Sequence, residues 1–208
     1  MSRPGRPSVI ELAGLPGSGK TTIAAWLAAQ DPSVQTRVLR PSLDPLLREP
    51  RTAWRAVRWG LLRPGLAWPM WAKLCLLRAA VDQLTEAPGA ALLLEESLFH
   101  HTWRTLFRYP RTRGFPWARL VGTGPPLVVL RAARSTRHAR LPGKRVAGDT
   151  NRRLSAGQPD DATWGEAERL FDEMVTVAAR ERRVVEIPTD DDVESSVKRV
   201  REALGALS

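Results

Sequence analysis

The segment GLPGSGKT, residues 14–21, matches the phosphate-binding pattern G-x-x-x-x-G-K-[ST] at every position. Glycines let consecutive backbone N–H groups converge on phosphate oxygens, and a helix that begins near Lys20 adds the positive end of its dipole. In this pattern the lysine reaches the β- and γ-phosphates, and the hydroxyl of Thr21 binds Mg²⁺. The segment and the residue after it therefore predict a site for a nucleoside triphosphate and Mg²⁺, with eight candidate contacts: Gly14, Pro16, Gly17, Ser18, Gly19, Lys20, Thr21 and Thr22.

Short apolar segments alternate with helical patterns on both sides of this loop. The predicted strands are Ser8–Leu12, Thr36–Arg40, Ala90–Glu95, Leu127–Leu130 and Arg183–Ile187. The predicted helices are Thr21–Gln30, two stretches within Pro45–Glu86, Trp164–Arg180 and Val193–Leu207. Such alternation predicts an α/β fold of three layers, in which about five parallel strands carry helices on both faces. Residues 1–208 then form a single P-loop NTPase domain.

Two acidic residues end the third predicted strand. Glu95 and Glu96 follow three leucines, and Ser97 comes next. In P-loop folds, an acid at the end of a neighbouring strand holds Mg²⁺ directly or through water. Because adjacent strand residues point to opposite sides, one of the two is expected to face the metal, and we favour Glu95. Acidic residues at a solvated helix start would show the same pattern.

Positive charge is concentrated in the middle of the chain. The sequence has 32 Lys and Arg against 22 Asp and Glu, a net charge of +10, whereas residues 97–148 contain 11 basic residues and no acidic ones. An uninterrupted positive segment is typical of a site for phosphate groups or for a nucleic-acid backbone. An arginine-rich genome composition would produce the same excess.

Residues 45–86 are the candidate acceptor-binding region. Asp44 precedes it and either activates an acceptor hydroxyl or caps the helix that Pro45 opens. Tryptophan and arginine are interspersed over residues 48–71. They would stack on a planar acceptor, seat a helix at an anionic membrane surface, or pack two helices over the sheet. A nucleoside monophosphate would need no strong base, because its phosphate is already a nucleophile.

Composition excludes several classes of protein. With 43% hydrophobic and 26% charged residues, the chain has the balance of a folded domain and not of a disordered one. The single cysteine, Cys75, excludes an intrachain disulfide and a multi-cysteine zinc site, which predicts a cytoplasmic protein. The apolar run over residues 61–77 is interrupted by charged residues and prolines, so we expect no membrane span.

The order of these elements resembles the P-loop kinases of the nucleoside/nucleotide kinase superfamily, which includes thymidylate kinases and deoxynucleoside kinases. The loop over residues 14–22 has the form found in small kinases. The stretch Leu92–Ser97 is similar to the acid-Arg-Ser motif of these kinases, although Glu96 stands where they have arginine. The resemblance covers most of the chain, and its most specific part is the phosphate-binding loop.

This resemblance also implies a lid and an adenine contact. Residues 131–163 are similar to the arginine-rich lid of the family, so Arg134, Arg137 and Arg140 are candidates for neutralising the transferring phosphoryl group. Because they are three residues apart, they lie on one face of a helix. A solvated basic helix would show the same spacing. Residues 184–190 correspond to the loop that covers the adenine, which makes Pro188 and Thr189 candidate contacts. Related kinases often dimerise through helices, which implies a homodimer.

Three functions are compatible with these features. The first is an ATP- and Mg²⁺-dependent phosphotransferase that moves the γ-phosphoryl group to a small molecule: a nucleoside monophosphate, a nucleoside or a specialised metabolite. The second is a polynucleotide 5′-kinase or a nucleic-acid-associated NTPase, suggested by the acid-free segment 97–148. The third is a regulatory switch that hydrolyses ATP without an acceptor. The short chain and the arginine-rich lid region favour the first, with Lys20, Asp44, Glu95, Glu96 and the lid arginines as candidate catalytic residues.

Overall fold

A five-stranded parallel sheet organises the structure. The computed structural model describes residues 9–40, 68–86, 91–114, 116–141 and 161–207. The strands are β1 (Val9–Gly14), β2 (Val34–Val38), β3 (Ala91–Glu96), β4 (Leu127–Arg131) and β5 (Val184–Pro188). Their spatial order is β2-β3-β1-β4-β5, and every neighbouring pair is parallel. All carboxyl ends therefore meet at one edge of the sheet, and this edge carries the phosphate-binding loop.

Seven described helices cover the sheet. They are α1 (Lys20–Gln30), α2 (Trp68–Glu86), α3 (Leu98–Arg108), α4 (Trp117–Gly122), α5 (Arg134–Arg140), α6 (Asp161–Ala179) and α7 (Val193–Leu207), with a 3-10 turn over Pro110–Gly114. Helix α7 begins where Asp192 accepts a hydrogen bond from the backbone N–H of Ser195 at 2.8 Å. The carboxylate thereby satisfies a backbone donor of the first turn, as the acidic run before this helix predicts.

Alternate residues of the central strands enter two separate cores. Ile10 and Leu12 of β1 pack with α1 and α7, whereas Ala13 packs with α3 and α6 on the other face. Strand β4 divides in the same way, because Val128 belongs to the first core and Val129 to the second. A third cluster joins α2 to β3, and the free thiol of Cys75 is buried in it. This two-sided burial confirms the predicted three-layer α/β architecture.

The observed strand boundaries lie within two residues of the predicted ones, and α6 begins three residues earlier than predicted, at Asp161. We predicted β2 at Thr36–Arg40, but the strand runs from Val34 to Val38. It is an edge strand whose residues are largely exposed, so the sequence offers only a weak apolar pattern there. The second helical stretch predicted within residues 45–86 is α2. Residues 41–67 and 142–160 lie outside the described residues, as do Asp44 and most of the tryptophan- and arginine-rich segment.

None of the helices that the structure describes is both long enough and apolar enough to cross a membrane.

Candidate active site

The loop between β1 and α1 has the backbone conformation that a phosphate cradle needs. Gly17 and Gly19 have φ angles of 83° and 89°, a left-handed region that residues with a Cβ adopt at a cost. A Cβ at Gly17 would lie 2.7 Å from the carbonyl oxygen of Arg137, and one at Gly14 would overlap Ser18 Oγ. Both backbone shape and close packing therefore require the glycines of the motif.

Polar groups in this loop fit an anionic ligand. The buried Ser18 hydroxyl has no hydrogen-bond partner among the described residues. Lys20 folds back over the loop, where Nζ donates to the carbonyl oxygens of Gly14 at 2.5 Å and Leu15 at 3.3 Å. Thr21 and Thr22 are exposed on the first turn of α1. The helix start, the lysine and the hydroxyls thus stand together at the carboxyl edge of the sheet, as the motif predicts.

The segment after β5 is attached to this loop through Thr189. Its hydroxyl lies 3.1 Å from the backbone oxygen of Ser18 and 3.1 Å from that of Arg131. Its backbone N–H donates to the same oxygen of Arg131 at 2.7 Å. Asp190 accepts the backbone N–H of Ala133 at 2.7 Å, and this bond lowers the pKa of the Asp190 carboxyl. The predicted adenine-side segment, Pro188 and Thr189, is therefore fixed beside the phosphate-binding loop.

Helix α5 places the three candidate arginines in different surroundings. Arg134 and Arg137 both donate to the carboxylate of Glu168 on α6, and these bonds lower the pKa of Glu168. The Arg137 side chain is only 8% exposed and lies over the ring of Trp164 at 5.3 Å. A spacing of three residues thus produces a shared contact with another helix for two of the arginines.

Arg140 is the candidate arginine that faces the phosphate-binding loop. Its guanidinium donates to the backbone oxygen of Thr189 at 2.9 Å and would lie 3.8 Å from a Cβ built on Gly19. Among the described residues, no carboxylate forms an ion pair with it. Arg140 therefore keeps donors available beside the loop, in contrast to Arg134 and Arg137.

Glu95 and Glu96 end β3 beside the loop and are half-buried. Strand β2 changes register here, because Arg37 is opposite Leu94 and Val38 is opposite Glu96, so the pairing skips Glu95. Such irregularities re-aim side chains and are frequent next to active sites. The described residues contain no group of three or more His, Cys, Asp or Glu side chains arranged for a metal ion. Magnesium needs fewer, since one or two carboxylates and substrate phosphates suffice, and Thr21 with Glu95 fits that donor set.

A set of basic side chains on α2 and α3 lies next to these acids. His100 and His101 are buried, with ring centroids 6.1 Å apart, and the ring Nε2 of His101 lies 3.2 Å from the backbone oxygen of Leu39. Burial, and then the positive charge of Lys20, holds the pKa of His100 well below its usual value. Burial and the nearby Arg104 guanidinium lower the pKa of Lys73, whereas Glu96 raises it. Sequence reasoning missed Lys73 and Arg104, although a lysine in the apolar pattern of α2 was an available signal.

Sequence reasoning also missed a buried ion pair behind the site. Glu11 in β1 is 1% exposed and accepts a hydrogen bond from Arg182 at 2.6 Å, and the Arg182 side chain is 4% exposed. The other carboxylate oxygen of Glu11 accepts the backbone N–H of Leu98 at 3.1 Å. Ser97 is the N-cap of α3 but forms no side-chain cap, and its buried hydroxyl has no partner among the described residues. The ion pair fixes the start of α3 against β1, directly behind Glu95 and Glu96.

Solved structures of two kinases share this arrangement of sheet, loop and helices. Thymidylate kinase from Candida albicans superimposes with a TM-score of 0.61 at 14% identity, over 97% of this chain and 92% of that one. The chain has the fold of the P-loop nucleoside and nucleotide kinases. Deoxyadenosine kinase from M. mycoides, solved with the products dCMP and dCDP, superimposes with a TM-score of 0.59 at 12% identity, over 95% and 99% of the two chains. The same kinase with bound dATP superimposes with a TM-score of 0.56 at 13% identity.

The sequence itself matches no protein-family profile and no curated protein. The P-loop kinase fold predicted from the motif and the order of elements is thus confirmed by structure and not by sequence similarity.

Proposed function

We propose that this chain is an ATP- and Mg²⁺-dependent phosphotransferase that moves the γ-phosphoryl group to a small-molecule acceptor. The observation that carries the proposal is the phosphate cradle: Gly17 and Gly19 in left-handed conformation, a buried Ser18 hydroxyl and Lys20 at a helix start. This cradle stands at the carboxyl edge of a sheet with the nucleotide-kinase fold. Cytoplasmic location and a homodimer stay predictions that belong to this proposal.

Each element of the site has a role in this reaction. An acceptor oxygen forms a bond to the γ-phosphorus while the bond from that phosphorus to the β–γ bridging oxygen breaks, and ADP keeps the electron pair. Lys20 and the loop N–H groups hold the phosphates and offset their charge. Thr21 and Glu95 would hold Mg²⁺, which supplies further neutralisation of the phosphate oxygens. Catalysis then consists of positioning and charge stabilisation.

Among the lid arginines we assign the contact with the transferring group to Arg140. Its guanidinium lies beside the phosphate-binding loop and donates to the backbone oxygen of Thr189. Arg134 and Arg137 are bound to Glu168 and serve to hold α5 against α6. Asp44, which lies outside the described residues, stays a candidate base for an acceptor hydroxyl.

Ion pairs in the described structure weaken the case for a nucleic-acid partner. The case rested on the acid-free segment 97–148. Four arginines of that segment are paired with carboxylates from later in the chain, mostly on α6: Arg113 with Glu166, Arg131 with Asp172 and Glu186, and Arg134 and Arg137 with Glu168. Folding therefore pairs four of the 11 basic side chains in this segment with carboxylates.

The proposal is tested by ADP production with Mg²⁺ and a panel of nucleosides, nucleoside monophosphates, sugars, aminoglycosides and 5′-hydroxyl oligonucleotides. We expect production that depends on one acceptor class and that Lys20→Ala abolishes. Lys198→Ala, which removes an exposed lysine from α7, is the matched control and should keep full activity. Production that no acceptor changes, or full activity in Lys20→Ala, would contradict the proposal.

A second pair of variants tests the metal assignment. Glu95→Gln should raise the Mg²⁺ concentration needed for half-maximal activity, whereas Glu96→Gln should not. The reverse result would transfer the metal role to Glu96.

A further inference from the structure

Helix α5, which carries Arg140, has little in its own sequence to hold its first turn. It is seven residues long, and a helix of this length is unstable by itself in water. Its N-cap residue is Ala133, which has no side-chain oxygen, and its first turn contains no acidic residue. Contacts with other parts of the chain therefore determine where α5 lies.

Asp190, which follows β5, supplies a cap from outside the helix. Its carboxylate accepts the backbone N–H of Ala133 at 2.7 Å, and the side chain of Thr136 forms a second hydrogen bond with it. In a capping box, the side chain at the third helical position binds the N-cap N–H. Here that position is Thr136, and a carboxylate 57 residues after Ala133 makes the bond instead. The negative charge of Asp190 also suits the positive end of the helix.

The neighbouring residue, Thr189, is bound at the opposite end of α5. Its backbone oxygen accepts a hydrogen bond from the guanidinium of Arg140 at 2.9 Å, while its own N–H donates to the oxygen of Arg131 at 2.7 Å. Thr189 is 1% exposed, and its hydroxyl lies against the phosphate-binding loop at Ser18. Two consecutive residues thus hold both ends of α5, with Asp190 at the first turn and Thr189 at the last.

The segment that carries these two residues is itself fixed to α7. Arg199 of α7 donates to the backbone oxygen of Pro188 at 3.0 Å and to the carboxylate of Asp191 at 2.8 Å. These bonds lie on both sides of Thr189 and Asp190 in the sequence. The cap of α5 is therefore anchored to a part of the molecule other than α5 itself.

Helix α5 also packs directly on the phosphate-binding loop. A Cβ at Gly17 would lie 2.7 Å from the backbone oxygen of Arg137, and one at Gly19 would lie 3.8 Å from the guanidinium of Arg140. With so little space between helix and loop, a shift of the first turn of α5 would change the position of Arg140 relative to the loop.

We propose that Asp190 is a positioning residue, which caps α5 and thereby holds the Arg140 guanidinium at the phosphate-binding loop. The proposal rests on the function proposed above, in which Arg140 contacts the transferring phosphoryl group. Asp190 acts on the reaction through α5. Without its bond to Ala133 the helix has a less defined start, and Arg140 spends less time where charge develops in the transition state.

Hydrogen exchange of the full chain tests the cap without any substrate. Asp190→Ala should raise the exchange rate of the Ala133 N–H and of the α5 amides about tenfold, the effect of losing one hydrogen bond. The matched control is Asp191→Ala, which removes the adjacent carboxylate, bound to Arg199 of α7. It should leave these exchange rates unchanged.

Steady-state kinetics test the positioning role, with ATP, Mg²⁺ and whichever acceptor of the panel above gives the most ADP. Asp190→Ala should lower kcat about tenfold, because even a displacement of about 1 Å is costly. The KM for ATP should stay nearly unchanged, because the loop that holds the phosphates is intact. Asp190→Asn keeps the size of the side chain and one acceptor oxygen, so it should fold and keep a larger part of kcat. Asp191→Ala should keep full activity.

A double-mutant cycle tests whether Asp190 acts through Arg140. Arg140→Ala alone should lower kcat. The double variant, Asp190→Ala with Arg140→Ala, should have the kcat of Arg140→Ala within about twofold, because positioning has no effect once the positioned group is gone. Independent roles would instead multiply the two losses.

The outcomes separate this inference from the proposed function. If either kcat or hydrogen exchange in Asp190→Ala matches that of Asp191→Ala, or if the two losses multiply, the positioning role is overturned and the phosphotransferase stands. A higher KM for ATP with an unchanged kcat would overturn it too, since that result assigns Asp190 to ATP binding. If the wild type produces no ADP with any acceptor, the proposed function fails, and this inference fails with it.

Discussion

Removing one member of the buried Glu11–Arg182 pair should destabilise the protein strongly. Glu11→Gln keeps the size of the side chain and an oxygen for the backbone N–H of Leu98, but it leaves the Arg182 guanidinium without its counter-charge. The Arg182 side chain is 4% exposed, and its second acceptor is the neutral backbone oxygen of Pro125 at 2.8 Å. Solvent therefore cannot replace the lost carboxylate charge.

The expected loss is large relative to the stability of a domain. Breaking a buried pair by removing one partner costs about 3–5 kcal/mol. Folded domains are stable by about 5–15 kcal/mol, so Glu11→Gln should lower the urea midpoint markedly. Replacing both residues, by Glu11→Leu with Arg182→Leu, removes both buried charges and should cost less than the sum of the single substitutions. The remaining cost is the unpaired backbone N–H of Leu98, about 1–3 kcal/mol.

The assay is urea unfolding followed by far-UV circular dichroism for the wild type, both single variants and the double variant. A double-mutant cycle then gives the coupling free energy of the pair. The reasoning would be refuted by a loss below about 1 kcal/mol for Glu11→Gln, the range of an exposed pair. A coupling free energy near zero would refute it as well.

Three further predictions concern the site. Gly17→Ala should destabilise the protein by about 1–3 kcal/mol and weaken ATP binding in calorimetry, because φ is 83° and the new Cβ would approach the backbone of Arg137. The control is Gly165→Ala on α6, where an added Cβ meets no atom within 4 Å. It should neither destabilise the protein in this way nor weaken ATP binding. Glu168→Gln should lower the unfolding free energy by about 1–2 kcal/mol, because it weakens bonds to Arg137 and Arg134, and ATP should then bind normally. Burial lowers the pKa of His100 in the folded chain, so the unfolded chain binds this proton at a higher pH than the folded chain does. The free energy of unfolding should therefore fall as the pH drops below 6.5. In His100→Asn this loss, measured as the urea midpoint between pH 7.5 and 5.5, should be smaller.

Each of these three has a result that contradicts it. Equal stability and equal ATP affinity in Gly17→Ala and Gly165→Ala would contradict the prediction for Gly17. For Glu168, an unfolding free energy equal to that of the wild type would show that the two arginines find other partners. For His100, an unchanged dependence of the urea midpoint on pH would assign the acid sensitivity to other groups.

The sequence by itself determined the phosphate-binding loop and the fold around it. The motif specifies a strand before the loop and a helix after it, and the positions of Gly14 and Lys20 follow directly from spacing along the chain. The strands were also predictable, because a strand buried on both faces reads as a continuous apolar run, as residues 127–130 do. The edge strand β2 was placed two residues too late, since a half-exposed strand has no such run.

Only the tertiary structure decided which charged groups act together. The arginines of α5 look equivalent in sequence, yet Arg137 is buried on Glu168 while Arg140 faces the loop. Glu11 and Arg182 are 171 residues apart, and no local pattern connects them. The charge of Arg104 acts on Lys73 because α2 packs on α3. Local propensity and periodicity depend on neighbours within a few residues, whereas electrostatic partners are chosen by distance in space.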